Sequence, residues 1–403
     1  MFKEEHLLKA ETLYGLVDVL ASEIEKIGGK NIEKINRAVE FTGDNEILYK
    51  ANLQLRTALN VLKEIKRFNI DNKNDLLDGV NSINWSAVFN INQSFSVATT
   101  NNSRFLKKIE GLSLEIRELI TMQFKTNFGT RPNGDKFDPN IIIKFHITDD
   151  ECIIYLDSSG KPLNKREYAE ESGFDPLNTV IAAGIILMTQ WNGQTNFINP
   201  MCGSGTLLAE GAMIAKNISP NIHRQNFSFK QWMNFDNELF EKIKTELTSN
   251  IKQTKIEFIG SDISSRAIIS AKRALNRLGI SRNVKLIEEN FEHIELPKTP
   301  CFIITNPPYF KKLKLELPED KVLTEEEIYE KQKHIDKENN IKFEEETDFY
   351  KMIGKTIKTN ISNNEFWIFT SNIEYIEHLN LDVDISHKLF NTSLESELIK
   401  LKN

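Results

Sequence analysis

Asn199-Pro200-Met201-Cys202-Gly203-Ser204-Gly205-Thr206 lies between a short apolar run, Thr195 to Asn199, and a helical pattern, Thr206 to Lys216. Read as strand, glycine turn and helix, this stretch decides the fold. Gly203 and Gly205 remove side chains where the backbone must turn sharply and where another group must come close. The N–H groups of the turn and of the helix start then form a polar cradle. A Gly-x-Gly turn also serves simply to pack a strand on a helix, so its surroundings carry the argument. Upstream lies a helical pattern, Leu177 to Gln190. Downstream come strand Lys255 to Ser261, helix Ser264 to Leu278, and strands Val284 to Glu288 and Cys301 to Thr305. Helix Asp348 to Thr359 and strand Glu365 to Thr370 follow. This alternation predicts an α/β, Rossmann-like parallel sheet covered by helices on both faces. Leu381 to Leu389 and Leu394 to Leu401 fit an antiparallel hairpin closing it.

The first 157 residues read differently, as α+β. Leu13, Leu16, Val17, Leu20, Ile24 and Ile27 share one helical face, ended by Gly28-Gly29. A short strand, Arg37 to Phe41, and helical patterns Glu46 to Ile65 and Arg104 to Phe124 follow. Ile141 to Ile147 and Glu151 to Asp157 read as strands joined at Asp149-Asp150. Ser158 to Asn164, with Gly160 and Pro162, reads as a linker. The division expected is a portion 1–43, a second module 44–157 and a third domain 158–403.

The 403 residues carry 51 Lys+Arg and 58 Asp+Glu, a net charge of −7, which on its face disfavours a nucleic-acid partner. Segment by segment the picture changes. From Lys311 to Asp348 there are 8 Lys against 13 Asp+Glu, a net −5, so this stretch, low in apolar residues, reads as an exposed acidic insertion (311–347). Between Thr99 and Lys136, 7 cations face 4 carboxylates, a net +3. An ordinary solvated helix face explains that excess as well as a binding surface does. Cys152, Cys202 and Cys301, odd in number and far apart, suit a reducing compartment and no Cys-type zinc site, and the seven His show no metal-ligand spacing. The longest apolar run, Thr179 to Met188, is far shorter than the ~20 residues of a membrane span. With no basic leader at the start, a soluble, cytoplasmic chain is expected.

Two further motifs carry chemistry. Gly260-Ser261-Asp262 puts a carboxylate at the end of the next parallel strand, where it can accept from ribose hydroxyls or simply cap the helix at Ser264. The interval from Gly205 is 57 residues rather than the usual ~20, so an insertion must intervene. Thr305-Asn306-Pro307-Pro308-Tyr309 ends the fourth strand. Two prolines stiffen the turn and remove donors. They leave the Pro307 carbonyl and the Asn306 side-chain oxygen as acceptors, and Tyr309 offers a ring. This set suits an exocyclic amino group on a nucleobase: two acceptors hold both N–H bonds, while stacking fixes the plane. A plain turn after a strand is the competing reading.

Taken together, these motifs resemble the class I S-adenosylmethionine-dependent methyltransferases that act on amino groups. More narrowly, the chain resembles the bacterial 23S rRNA guanine-N2 methyltransferases of the RlmL type, with an RNA-binding THUMP domain ahead of the catalytic one. The resemblance includes Ile83-Asn84-Trp85, Arg131-Pro132-Asn133, Leu156-Asp157-Ser158-Ser159-Gly160, Pro176-Leu177-Asn178-Thr179 and Leu389-Phe390-Asn391. Phe227 to Phe235 resembles the family's own insertion. The resemblance makes 1–43 ferredoxin-like and 44–157 THUMP-like. It implies that Asn199, Pro200, Cys202, Gly203, Ser204, Gly205 and Thr206 hold the methionine part of S-adenosyl-L-methionine. Asp262 then binds the ribose, Ile263 packs on the adenine, and Asn290 and Phe291 meet its amino group and ring. Asn306, Pro307, Pro308 and Tyr309 receive the target amine. Candidate RNA contacts are Arg104, Lys107, Lys108, Lys125, Arg131, Lys165 and Arg166. A monomer acting on 23S rRNA without a metal is expected.

Asn199 and Asn290 stand where the family commonly has Asp, and Phe310 follows Tyr309 where Gly is usual. Glu167-Tyr168-Ala169 replaces a more basic motif, and a protein without the second methyltransferase domain fused in some relatives is expected. Alternatives of the same chemistry are a tRNA guanine-N2 or an adenine-N6 methyltransferase. An alternative of another class is a non-catalytic RNA-binding or ribosome assembly protein.

Overall fold

The computed structural model describes residues 4–402 except 105, 107–110, 170–176, 309–343, 361–362 and 392–393. The chain forms two compact units. The first comprises 1–170, 179–184 and 216–253, and the second 171–178, 185–215 and 254–403.

The first unit is built on a seven-stranded sheet. Its strands are β1 (His6–Glu11), β2 (Lys30–Ile35), β3 (Ala38–Gly43), β4 (Asn60–Asn69), β5 (Phe95–Asn101), β6 (Ile141–Ile147) and β7 (Glu151–Asp157), in the order β2-β3-β1-β4-β7-β6-β5. Only β5 and β6 pair in parallel. Helices α1 (Val17–Lys26), α2 (Asn45–Gln54), α3 (Lys73–Asn81) and α4 (Leu112–Phe128) supply Leu20, Ile24, Leu48, Leu76, Ile116 and Phe124 to one core. Because a single sheet runs through residues 6–157, the ferredoxin-like and THUMP-like portions share its hydrogen-bond ladder.

Three expectations are corrected here. The helical pattern 46–65 divides: α2 stops at Gln54, and Asn60–Asn69 is a central strand paired on both sides with β1 and β7. The break is built from outside the segment. The buried Glu23 carboxylate on α1 accepts from the N–H groups of Arg56 and Thr57, at 2.9 and 3.0 Å, and from the Thr57 hydroxyl. Ser158 to Asn164 is no free linker. Asp157 Oδ1 accepts from the N–H groups of Ser159 and Gly160, its Oδ2 from Asn60 Nδ2 at 2.9 Å, and Ser158 and Ser159 are bonded to Asn52 and to the Val61 backbone. A buried polar turn satisfied this completely belongs to the core. Finally, 216–253, which strand–helix alternation assigns to the second half, belongs to the first unit. Phe227, Phe229, Trp232, Phe240 and Ile243 lie in that unit's core, with Tyr49 stacked on Phe229.

The second unit carries the parallel sheet. After α5 (Thr179–Met188) its elements are β8 (Asn196–Pro200) and α6 (Thr206–Ala215), then β9 (Phe258–Asp262), separated from α6 by α7 (Asn237–Ser249) of the first unit. Next come α8 (Ser265–Arg277), β10 (Val284–Glu288), β11 (Cys301–Thr305), α9 (344–360), β12 (Glu365–Thr370), β13 (Val383–Asn391) and β14 (Leu394–Leu401). The order is β10-β9-β8-β11-β12-β14-β13, parallel except for β14, which pairs antiparallel with both neighbours. Phe197, Phe258 and Phe302 pack with Trp191 beneath the sheet. The expected acidic insertion reaches into α9, where Glu346 is buried rather than exposed. The remainder of 311–347 lies outside the described residues. No described helix is long and apolar enough to cross a membrane.

Candidate active site

β8 is central. β9 lies on one side of it and β11 on the other, so the chain reverses direction across the sheet between them. At such a switch point the crevice beyond the carboxyl ends of the strands is the natural ligand site. The backbone register of β8 and β11 runs from Asn196–Cys301 to Ile198–Ile303, and beyond it side chains take over. Asn199 Nδ2 donates to the Ile304 carbonyl at 2.8 Å, and the Thr305 hydroxyl to the Pro200 carbonyl at 2.6 Å. Thr305 heads the Asn-Pro-Pro motif, but nothing local foretells this bond, because its partner is 105 residues away.

The glycine turn leaves β8 through three left-handed residues, Met201 (φ 54°), Gly203 (φ 53°) and Gly205 (φ 79°). Met201 holds a conformation that costs a side-chain-bearing residue about 1–3 kcal/mol, a strain the surrounding bonds must offset. Cys202 N–H donates to the Ser261 carbonyl, and Gly203 N–H to Asp262 Oδ2, both at 2.9 Å. The turn is thereby tied to the end of β9. A Cβ on Gly205 would lie 2.9 Å from that of Ala271, so this glycine is required by helix packing. A Cβ on Gly203 would meet nothing within 4 Å, so it borders open space. Burial, and secondarily the Asp262 charge, push the Cys202 thiol up to about 12, which disqualifies it as a nucleophile. Ser204 Oγ and Thr206 Oγ1 are 3.3 Å apart at the head of α6.

Asn199 is 1% exposed, and its Oδ1 has no hydrogen-bond partner among the described residues. A buried acceptor left unmade is costly, so an external donor is the expected complement. Asp262 accepts from Gly203 and, through Oδ1, from Ser264 N–H at 2.9 Å, and each oxygen retains a lone pair. Next to it Ile263 is 71% exposed, an apolar side chain left in solvent beside the end of β9. Asn290 caps the turn Phe291–His293 by accepting from Glu292 N–H at 3.1 Å. Phe291 is only 5% exposed and packs into the core, so its ring is not an open stacking platform.

On the other flank, Asn306 is half-buried, Pro307 buried and Pro308 exposed. Asn372 Nδ2 donates to the Pro308 carbonyl at 3.4 Å, and the Asn372 backbone N–H to Thr370 Oγ1, which also meets the Tyr350 hydroxyl at 2.8 Å. No local pattern marked Asn372, since 64 residues separate it from Pro308. Tyr309 lies outside the described residues.

The expected RNA contacts divide. Arg104, Lys125, Arg131 and Lys165 are exposed, Arg104 paired with Asp149 at 2.6 Å and Arg131 with Glu118 at 3.7 Å. Arg166 is a correction. It is 1% exposed and donates to the carbonyls of Leu163 and Arg56 and, at 3.3 Å, to Asn221 Oδ1, so it holds the first unit together and cannot touch a ligand on its surface. Lys107 and Lys108 lie outside the described residues.

A doubly wound sheet with a glycine turn, a strand-end carboxylate and an Asn-Pro-Pro turn on three adjacent strands is a Rossmann-like methyltransferase. The chain belongs to the RMKL-like methyltransferase family, a family dependent on S-adenosyl-L-methionine: that methyltransferase domain matches residues 166–373, more than half the chain. The RlmL ferredoxin-like domain matches 8–62 and the THUMP domain 71–157. A curated relative, the ribosomal RNA large subunit methyltransferase K/L of Psychromonas ingrahamii, is 33% identical over 308 residues. These make up 75% of this chain but 41% of the relative, so the chain spans about two fifths of that protein. The crystal structure of SMU.472 complexed with SAH is similar with a TM-score of 0.80 at 22% identity, covering 99% of this chain and 98% of that one. That of a predicted N6-adenine-specific DNA methylase from Listeria monocytogenes has a TM-score of 0.82 at 20% identity, covering 99% and 97%. At these identities the likeness is one of fold.

Proposed function

We propose that the protein transfers a methyl group from S-adenosyl-L-methionine to the N2 amino group of a guanine in 23S rRNA. The observation that carries this reading is the convergence of Asn199, Asp262 and Asn306 at the ends of three adjacent strands flanking the switch point. The unpartnered Asn199 Oδ1, the open side of Gly203 and the exposed Ile263 fit the cofactor. Asn199 and the turn 200–206 hold its amino-acid end, Asp262 its ribose, Ile263 one face of its adenine, and Asn290 the rim. Bound there, the cofactor supplies a methyl carbon on a sulfonium that departs as a neutral thioether, so little acid–base help is needed.

The chain's contribution is positional and electrostatic. Asn306 Oδ1 and the Pro307 carbonyl accept the two amine N–H bonds, which raises electron density on the nitrogen and directs its lone pair toward the methyl. Tyr309 stacks on the base. The proton leaves the product ammonium to solvent. The base leaves its stack to reach this crevice, while the first unit grips folded RNA by backbone charge and shape. The ribosomal substrate is suggested by the name of the curated relative. Nucleoside mass spectrometry of rRNA and tRNA from a deletion strain, with and without complementation, tests it. Loss of N2-methylguanosine from 23S rRNA alone is expected. Its loss from tRNA, or loss of N6-methyladenosine, overturns the substrate.

A further inference from the structure

Helix α8 and the strand after it carry charge of a single sign. Between Ile263 and Ile287 stand Arg266, Lys272, Arg273, Arg277, Arg282 and Lys285, with no Asp or Glu among them, although the chain as a whole is acidic. All six are exposed. The helix turns Ala267, Ala271, Ala274 and Leu275 inward, onto β9 and β10. Residues seven and four apart share a helix face, so Arg266, Arg273 and Arg277 form one line along the outside, roughly 16 Å long at the α-helical rise. Lys272 flanks that line. Arg282 follows in the turn Ser281–Asn283, and Lys285 on β10, the edge strand of the sheet.

Folding does not call for this arrangement. A helix N-terminus favours a carboxylate, and α8 has Arg266 there. Like charges four residues apart, as at Arg273 and Arg277, weaken a helix, whereas α7 mixes three Glu with two Lys. Lys272, Arg273, Arg282 and Lys285 meet no carboxylate among the described residues. Glu288, the first acid beyond the segment, accepts from Ser265 Oγ at 2.6 Å. Lys285 alone would be explained as protection of a sheet edge; the helix cations are not. Exposed cations with no counter-charge along one face mark the contact surface of a polyanion. An anionic membrane is the weaker match. A helix bound at a bilayer surface inserts its apolar side, and that of α8 is buried against the sheet, leaving Ile269 as the one large apolar residue it exposes. The line starts four residues beyond Asp262, at the crevice end of α8, which suits a nucleic-acid strand delivered to the site.

We propose that the outer side of α8, continued by Arg282 and Lys285, is an RNA-backbone surface on the catalytic unit itself, with Lys272, Arg273 and Arg282 on phosphates. The inference rests on the RNA reading above and adds a second grip to that of the first unit. Using the full chain, binding to an unmodified 23S rRNA transcript is titrated between about 50 and 200 mM salt. Wild type is compared with Lys272→Gln/Arg273→Gln/Arg282→Gln and with Lys26→Gln/Lys242→Gln/Lys358→Gln, which removes the same charge from exposed positions scattered over α1, α7 and α9. Each phosphate contact contributes about 0.7–0.9 to the slope of log affinity against log salt. The α8 variant should therefore lower that slope by about two and weaken binding roughly 10- to 100-fold near 0.1 M salt, while the scattered variant stays within about threefold. Cofactor affinity by calorimetry should be unchanged in both, and its loss in the α8 variant would assign the effect to the fold and overturn the surface. An unchanged slope in the α8 variant, or an equal fall in the scattered one, also overturns the surface and leaves RNA binding by the first unit standing. Binding to phosphatidylserine vesicles that is lost in the α8 variant, with the RNA slope unchanged, gives the face to a membrane instead. If the wild type does not bind the transcript, the RNA reading itself falls.

Discussion

The backbone N–H of Gly203 donates to Oδ2 of Asp262 at 2.9 Å, joining the glycine turn after β8 to the carboxylate at the end of β9. The two motifs are 59 residues apart in the chain but form one structural piece. A carboxylate so placed both shapes the turn and keeps lone pairs for hydroxyls.

Asp262→Asn exchanges one acceptor for a donor, which cannot face Gly203 N–H or Ser264 N–H without losing a bond. Hydrogen bonds to a charged group are worth about 1.5–3 kcal/mol. Cofactor affinity should therefore fall by roughly 10- to 100-fold by calorimetry. Equal affinity would separate Asp262 from the site, and no binding by the wild type would favour a non-catalytic protein.

Asn199 departs from the Asp common in the family, and the structure gives a reason for the amide: its nitrogen donates to the Ile304 carbonyl. In Asn199→Asp an acceptor would face that carbonyl, and a buried charge would be left without a partner. Apo stability should drop by about 1–3 kcal/mol, with cofactor restoring more stability than it adds to wild type. Thermal shifts with and without cofactor measure this; an equal shift in both proteins would argue against an ammonium at Oδ1.

Asn306→Ala should leave cofactor affinity within about twofold and reduce methyl transfer by about 10²-fold or more, the usual consequence of removing one preorganised polar contact. Single-turnover transfer to the RNA substrate is the measurement. Near-normal turnover would sink the two-acceptor mechanism.

Arg166 and Arg131 should behave in opposite ways. Arg166→Ala strips donors from buried carbonyls and should destabilise the first unit by on the order of 2–4 kcal/mol. Arg131→Ala should leave stability within about 0.5 kcal/mol while lowering the salt slope of RNA binding by about one charge. Urea melts and salt titrations separate the two.

Burial, and then the positive charge of Lys9, hold the His146 imidazole below its ordinary range, so the fold disfavours its protonated form. In the unfolded chain it takes a proton below about pH 6.5. The resulting stability is complete above that value and is lost as the pH falls toward the folded-state pKa. Urea midpoints at pH 7.5 and 5.5 should differ less in His146→Gln than in wild type. An identical difference would assign the acid sensitivity to other groups, His6 among them, which burial and Lys63 also depress.

What the sequence alone determined was local: strands 284–288, 301–305, 365–370, 141–147 and 151–157, and the glycine, Asp262 and Asn-Pro-Pro turns. There apolar periodicity or turn chemistry within a few residues decides the conformation. Tertiary structure decided whatever depends on a distant partner. Asn60–Asn69 has a pattern that also fits a helix; it becomes a strand because β1 and β7 pair with both its edges and Glu23 draws the chain out of α2. Ser158-Ser159-Gly160 has the composition of a linker, yet its polar groups find Asn52, Val61 and Asp157 and are buried. Arg166 has the charge of a surface contact, but it is buried on three acceptors, two of which, Arg56 and Asn221, come from elsewhere in the chain. A side chain's type shows what bonds it can make. Only the folded chain brings those partners within reach or leaves one unmade, as at Asn199 Oδ1.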